Sequence, residues 1–228
     1  MDKILDRLET REIQDVRAEV RWEVLYPIED STVVRIGQLN YRQDTPTAKF
    51  KAHFNKRIAG DRADPLDEIH LFDGRFYVEL NSQTKTVSRR EIRTADDKSN
   101  PFALKEGKFP LPFGQKKAEV LEAFRVERVD DKASAVPDTD HIRLTPRAGN
   151  PLADRFATIE FWVATDGKAS GMPVRVRYGQ LDGTGNTNSF TTLSFKDPEI
   201  NIGLSPSVFE LKTPDGYEQI VEPMAPVP

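Results

Sequence analysis

The sequence predicts a mainly β fold of about ten or eleven short antiparallel strands with two helices. Three observations carry this reading. From Arg17 to Val24 every even residue is apolar and every odd one charged, the period of a strand with one buried and one solvated face. Asp73-Gly74, Asp166-Gly167, Asp182-Gly183 and Asp215-Gly216 separate or follow apolar runs, as turn dipeptides do. Helical spacing is confined to two segments, one at the start and one mid-chain.

Taken in order, Asp2 can cap a first helix whose Ile4, Leu5 and Leu8 share a face, with Ile13 trailing off it. The strand around Val20 and Trp22 ends at Pro27, and Glu29-Asp30-Ser31 turns the chain. A second strand spans Val33 to Tyr41 and is broken at Thr45-Pro46; a third alternates Ala48, Phe50, Ala52 and Phe54 with Lys49, Lys51 and His53. The charged stretch Asn55 to Asp67, with Gly60 and Pro65, reads as a loop. Glu68 to Phe72 is a strand, and Arg75 to Leu80 returns after Asp73-Gly74 with Phe76, Val78 and Leu80 on one face. Asn81-Ser82-Gln83 turns again, and Lys85 to Arg93 is a more polar strand.

Thr94 to Gly114 is irregular and rich in Pro and Phe. Gln115 to Phe124 is helical, with Val120, Leu121 and Phe124 on one side. Strands follow at Ile142–Leu144, Phe156–Ala164, Val174–Tyr178, Phe190–Phe195 and Val208–Leu211. There is no repeat and no low-complexity linker, so residues 1–221 form one domain and 222–228, with three prolines, an extended tail. A one-sided sheet of this size must cover its apolar face. It can curl into a barrel or stack as a sandwich, with the two helices packed on what stays open.

Composition narrows the function. The 33 basic and 37 acidic residues nearly cancel, which argues against a general nucleic-acid binder. Mean hydropathy is −0.57, and no run approaches the roughly 18 apolar residues of a membrane-spanning helix. Zero Cys excludes disulfides, thiolate metal sites and cysteine nucleophiles. His53, His70 and His141 stand apart without metal-site spacing, and His53 and His70 fall on outward strand positions. No metal and no cofactor are expected. Walker, dinucleotide-binding and G-x-S-x-G motifs are absent, and Gly183-Thr184-Gly185-Asn186 joins two strands without a helix behind it. The carboxylates have turn or solvent roles, so no catalytic residue is assigned and the chain is not read as an enzyme. The basic groups Lys49, Lys51, Lys56, Arg57 and Arg89, Arg90, Arg93 read as solvated strand faces, with an acidic partner or anionic headgroups as the alternative.

What remains is shape. Val20, Trp22, Val24, Phe50, Phe54, Phe76, Val78, Val174 and Val176 are expected inside a curved sheet. They either fill a core or line a cavity for an acyl chain, since barrels of about eight strands can hold a ligand. Leu5, Leu8, Val120, Leu121 and Phe124 are expected to form a helical lid over the mouth.

The order of these elements resembles the LolA family of lipoprotein carriers, over roughly Ile4 to Val221. The resemblance is carried by Val16-Arg17-Ala18-Glu19-Val20 after the first helix, Gly37-Gln38-Leu39-Asn40-Tyr41 closing the second strand, Pro46 and Phe50, and the hairpin Asp73-Gly74-Arg75-Phe76-Tyr77-Val78. Asn100-Pro101-Phe102, Ile142-Arg143-Leu144-Thr145-Pro146 and Val208 through Gly216 complete the series. LolA carriers place an Arg immediately before the Pro that closes the second strand; here that position is Thr45, and the nearest arginine is Arg42.

The resemblance implies an unclosed, highly curved antiparallel barrel of about eleven strands with an α-helical lid over a hydrophobic cavity. It implies a periplasmic carrier, its signal peptide removed, that shields the acyl chains of lipoproteins or lipids on the way to the outer membrane. The partners it implies are those chains, with an inner-membrane donor and an outer-membrane acceptor; the carrier itself is monomeric and not an integral membrane protein. The alternative is an envelope sensor or interaction module on the same fold, with its cavity filled or regulatory.

Overall fold

The computed structural model describes residues 2–94, 97, 100–104, 109, 111 and 113–222. Residues 223–228 of the expected tail, and part of the Pro- and Phe-rich stretch, lie outside the described residues. Helix α1 (Asp2–Thr10) leads into β1 (Asp15–Tyr26), β2 (Ser31–Arg42), β3 (Lys49–Ala59), β4 (Arg62–Phe72), β5 (Phe76–Asn81) and β6 (Thr86–Glu91). After the irregular stretch come α2 (Lys117–Ala123), β7 (Phe124–Arg128), β8 (Thr139–Pro146), β9 (Phe156–Ala164), β10 (Pro173–Leu181), β11 (Thr187–Ile200) and β12 (Glu218–Glu222). The strands form one sheet in the order β12-β6-β5-β4-β3-β2-β1-β11-β10-β9-β8-β7. β12 and β7 are its two edges and do not pair, so the curled sheet is an unclosed barrel.

The alternation in β1 does what its period requires. Val16, Ala18 and Val20 are fully buried, while Arg17, Glu19 and Arg21 face outward. β1 is central, paired with β2 on one side and β11 on the other. The main core gathers Ile4, Leu5 and Leu8 of α1, Val120 of α2 and inward residues of both halves of the sheet. α1 lies at the end where β9 turns into β10: Arg7 pairs with Asp140, and the Arg11 guanidinium donates to the Lys168 carbonyl at 2.8 Å. Gly171, at φ +81°, passes so close that a Cβ there would stand 2.9 Å from the Arg7 carbonyl oxygen. Lys117 at the start of α2 reaches Asp6 (2.7 Å) and Asp2 (3.3 Å), tying the two helices together.

Three expectations are corrected. Asn55 to Asp67 is not a loop. β3 and β4 run on through it as a long hairpin, turning at Gly60 (φ +56°) and Asp61, and Pro65 is tolerated close to a register shift between Phe54 and Lys56. Phe124 does not end a helix but begins β7, with Phe124 and Val126 buried. Val208–Leu211 is not a strand: Pro206–Phe209 is a 3-10 turn, opened by the Ser205 hydroxyl, which accepts the Ser207 N–H. The expected fold class of about eleven strands holds: among the described residues the sheet has twelve, all neighbours antiparallel except β12, which lies parallel to β6.

That 3-10 turn covers a second, outer cluster. Leu204 and Phe209 pack on Ile69, Leu71, Val78, Leu80 and Val87, on the face of β4 to β6 away from the main core. Asp15 holds this segment, its carboxylate accepting backbone N–H groups from Ile202 (2.8 Å), Gly203 (2.9 Å) and Leu204 (3.3 Å).

Candidate functional site

The interior of the curled sheet is filled at the helical end and open further along. Two apolar cavities remain there. One, of about 270 Å³, is walled by Val20, Trp22, Leu39, Phe50, Ala52, Phe54, His70, Tyr77, Arg90, Ile92, Phe109, Leu111 and Leu193. The other, of about 150 Å³, is walled by Trp22, Leu104, Phe109, Leu152, Arg155, Phe156, Ile159, Tyr178, Gln180 and Thr191. Trp22 and Phe109 belong to both walls and stand between the two spaces.

Strand pairing explains the larger wall. Phe50, Ala52 and Phe54 alternate inward along β3, and Phe50 and Ala52 lie opposite Phe72 and His70 on β4. Trp22 meets Phe54 edge-on with ring centroids 5.7 Å apart. The irregular stretch supplies the rest. Gln115 is buried and pins it: its amide nitrogen donates to the carbonyls of Phe102 (2.8 Å) and Phe113 (3.1 Å), and its amide oxygen accepts the Leu104 N–H (3.0 Å). Phe109 then packs among Phe72 (ring centroids 4.8 Å apart), Phe50 (5.0 Å, edge-on) and Phe102 (5.3 Å).

One side of the larger cavity is polar. His70 Nε2 lies 2.6 Å from Glu68 Oε1, His70 Nδ1 lies 2.5 Å from the Tyr77 hydroxyl, and the Arg35 guanidinium is 3.4 Å from the Glu68 carboxylate. Burial pushes the Glu68 carboxyl up, but the His70 hydrogen bond and the Arg35 charge outweigh it and hold it below its ordinary range. Burial, with the charges of Glu79 and Glu68, pushes the Tyr77 phenol up, so it stays a neutral hydroxyl. Larger concavities of about 460 and 660 Å³ lie on the outer face, but charged side chains such as Arg21, Glu23, Arg177, Arg75 and Lys212 form much of their walls.

An unclosed antiparallel barrel, carrying helices at one end and an apolar space inside, is the architecture that the resemblance to lipoprotein carriers implies. Among solved structures, an uncharacterized conserved protein from Thermus thermophilus superposes with a TM-score of 0.52 at 14% identity, covering 97% of this chain and 98% of that one. A LolA superfamily protein from Nitrosomonas europaea gives 0.45 at 11% identity, covering 92% of this chain and 97% of that one. A DUF1329 family protein from Desulfovibrio piger gives 0.44 at 14% identity, covering 90% and 92%. No protein-family model and no curated protein matches the chain.

Within this unclosed barrel the structure brings only some of the expected lining residues together. Val20, Trp22, Phe50 and Phe54 share the larger cavity. Val176 is fully buried in the packed core. Val24 is half-buried towards the far end of β1, and Val174 sits at the irregularity between Pro173 and Arg175. Phe76 and Val78 are corrected: they belong to the outer cluster under Phe209, and their neighbour Tyr77 faces the cavity instead. His70 is also corrected, being a buried inward residue, whereas His53 is exposed beside Asp67. His141 is buried, stacked on Trp162 with centroids 4.0 Å apart.

Of the lid residues, Leu5, Leu8, Val120 and Phe124 are buried in the main core and line neither cavity. Leu121 is 36% exposed and points away from that core. The side chains that cover the cavities are Leu104, Phe109, Leu111 and Leu152 from irregular segments, where no periodicity could announce them. Arg42 faces elsewhere, bonded to Asp44 (2.7 Å) and to the Leu204 carbonyl (3.0 Å). Among the described residues no group of three or more His, Asp or Glu is placed to hold a metal ion, and no helix is long and apolar enough to cross a membrane.

Proposed function

We propose that this chain is a periplasmic carrier that shields acyl chains of lipids or lipoproteins inside the sheet during transfer to the outer membrane. One observation carries the reading: the inner face of β1 to β5 ends in an apolar space of about 270 Å³ rather than in packed side chains. Protein interiors are close-packed, so an unfilled apolar interior forfeits contacts that a filled core would make. A chain leaving water for it gains about 0.8 kcal/mol per buried CH₂.

The reading is of a binding protein, not an enzyme. Its donor and acceptor are an inner-membrane and an outer-membrane protein, in keeping with the sequence resemblance. An environment-sensitive apolar probe added to the purified protein tests it. The probe should brighten, and a lipopeptide or fatty acid should displace it. If saturating lipid leaves both the probe and the Trp22 emission unchanged, the carrier reading fails and the sensor or interaction module takes its place.

A further inference from the structure

The outer face of the sheet carries a trough along β11. Two outward side chains there are short hydroxyls, Thr192 and Ser194. Thr192 stands opposite Glu23 on β1 and Arg177 on β10, and Ser194 opposite Arg21 and Arg175. Long charged side chains of both flanking strands therefore rise beside a low floor, and a concavity of about 460 Å³ runs between them. The pair Leu25 and Phe190 borders it toward one end, and the pair Glu19 and Lys196 toward the other.

The charges around this trough do not balance. Arg21 binds Glu23 at 2.7 Å, and Glu19 faces Lys196 across the β1–β11 pair. That leaves Arg175 and Arg177, both half-buried, and among the described residues no carboxylate pairs with either. The carboxylate placed for Arg177 is that of Glu160, its register partner on β9. Glu160 is turned toward β8 instead: its Oε2 lies 3.0 Å from His141 Nε2, and its Oε1 accepts the Arg143 Nε–H at 3.0 Å. The Arg177 guanidinium lies over the Phe190 ring, 4.1 Å from its centroid, and Arg175 Nε donates to the Ser194 hydroxyl at 3.2 Å. Two residues apart on one strand, the two arginines rise from the same face about 7 Å from each other. Burial, with the charges of Arg177 and Arg21, holds Arg175 below its ordinary value against the pull of Glu23. Cations withdrawn from water are ordinarily paired; these two wait for an anion.

We infer that the trough binds the phosphate group of a small soluble phosphate ester, its oxygens held between the Arg175 and Arg177 guanidinium groups and over the Thr192 and Ser194 hydroxyls. Ser194 accepts from Arg175 and still has its own proton to donate, and the Thr192 hydroxyl makes no hydrogen bond among the described residues. Two guanidinium forks and two hydroxyls offer more donors than the two oxygens of a carboxylate can use. They match the three terminal oxygens and the charge of about −2 of a phosphate monoester. The concavity is larger than bare phosphate needs and falls among small-molecule sites of about 300–1,000 Å³. The organic part then lies along the trough toward Leu25 and Phe190. The hydroxyl floor is recessed between the flanking side chains, out of reach of a headgroup held in a flat bilayer. The site lies outside the curled sheet and is independent of the carrier reading.

The test titrates glycerol 3-phosphate calorimetrically into the full chain at low ionic strength. It should bind one to one, with inorganic phosphate competing. Arg175→Gln and Arg177→Gln should each weaken it about tenfold, and Thr192→Val about threefold. Arg62→Gln removes the same charge far from the trough, from a side chain 81% exposed at the β3–β4 turn, and should leave the affinity unchanged. Should an arginine variant fold poorly, nitrogen-labelled wild type serves instead: the Arg175 and Arg177 Nε–H resonances should move with glycerol 3-phosphate while that of Arg62 stays fixed. No binding at millimolar concentration overturns the inference. So does an equal loss in Arg62→Gln, which would mark diffuse surface charge rather than a site. Malonate binding as tightly, with the same dependence on Arg177, overturns the choice of phosphate. Vesicles of phosphatidic acid in phosphatidylcholine supply the lipid source. Cosedimentation that depends on Arg175 and Arg177, with glycerol 3-phosphate failing to bind, overturns a soluble ligand in favour of a headgroup.

Discussion

Gly37 on β2 lies against the backbone of His53 on β3 so closely that a Cβ at Gly37 would stand 2.0 Å from the His53 carbonyl oxygen and 2.6 Å from the Phe54 Cα. The approach occurs where the β2–β3 register shifts, between Ile36 and Gly37. The obstructing atoms are backbone and cannot swing aside. Gly37→Ala should therefore force β2 and β3 apart and cost about 3 kcal/mol, the upper part of the range for overpacking. The measurement is the urea midpoint at unchanged slope. A midpoint within error of wild type would show that the strands do not meet this closely.

The two helices offer a sharper contrast than the pattern alone allows. Leu5 is 1% exposed within the main core, whereas Leu121, one residue from buried Val120, is 36% exposed. Leu5→Ala should cost about 2–5 kcal/mol through lost burial and a residual void. Leu121→Ala should stay within about 0.5 kcal/mol of wild type. Thermal unfolding of the pair decides it; equal losses would mean that both leucines seal the same face.

What was readable in the sequence follows from what each residue faces. β1 could be read because one of its faces is buried and the other solvated, so Val16 to Trp22 keep a strict period of two. The outer ends of β3 and β4 could not. Beyond Phe54 the hairpin largely clears the core, charges occupy both of its faces, and Asn55 to Asp67 lose the alternation that marks a strand. Phe76 and Val78 show a subtler failure. Their alternation was real, but period two says only that a face is covered, not by what. Here Phe209 covers it from outside. The cavity wall was half legible for the same reason: Trp22, Phe50 and Phe54 sit on strands, while Phe109 and Leu111 come from irregular chain held by Gln115, whose role depends on carbonyls up to 13 residues away.

Two buried groups contribute to the response to acid. Burial holds His141 below the ordinary imidazole value of 6.5, against the pull of Glu160. Glu68 is held below its ordinary 4.5. For His141 the unfolded chain takes up its proton first as pH falls through 6.5, so stability declines from there down to the folded value. For Glu68 the contribution is complete above 4.5 and is lost as pH falls through the folded value. Both therefore destabilise in the same direction, one from pH 6.5 downward and the other from 4.5 downward. Urea midpoints at about pH 7.5 and about pH 5.5 should differ for wild type, and the difference should shrink in His141→Gln. Glu68→Gln should leave that upper window intact and flatten the loss below 4.5. An undiminished difference in His141→Gln would assign the upper window to another group.

Ala52 and Ala18 separate an unfilled interior from a packed one. Both are small, inward and buried, at 7% and 2% exposure. Ala52 faces the 270 Å³ cavity between Leu39 and His70, whereas Ala18 sits in the main core and borders neither space. Ala52→Leu adds three carbons where there is room. They leave water at about 0.8 kcal/mol per CH₂, so the melting temperature should hold or rise. Ala18→Leu must push its neighbours off their rotamers and should lose about 1–3 kcal/mol. The same leucine at 52 occupies the volume assigned to the ligand, so probe affinity should fall at least about tenfold while the fold is kept, an opposition of stability and binding expected where function rests on unfilled space. If Ala52→Leu instead destabilises as Ala18→Leu does, the wall of β3 is already packed. If it is stable and the probe still binds as in wild type, the probe lies elsewhere, and the space beside Phe50 and Phe54 is not where a chain is carried.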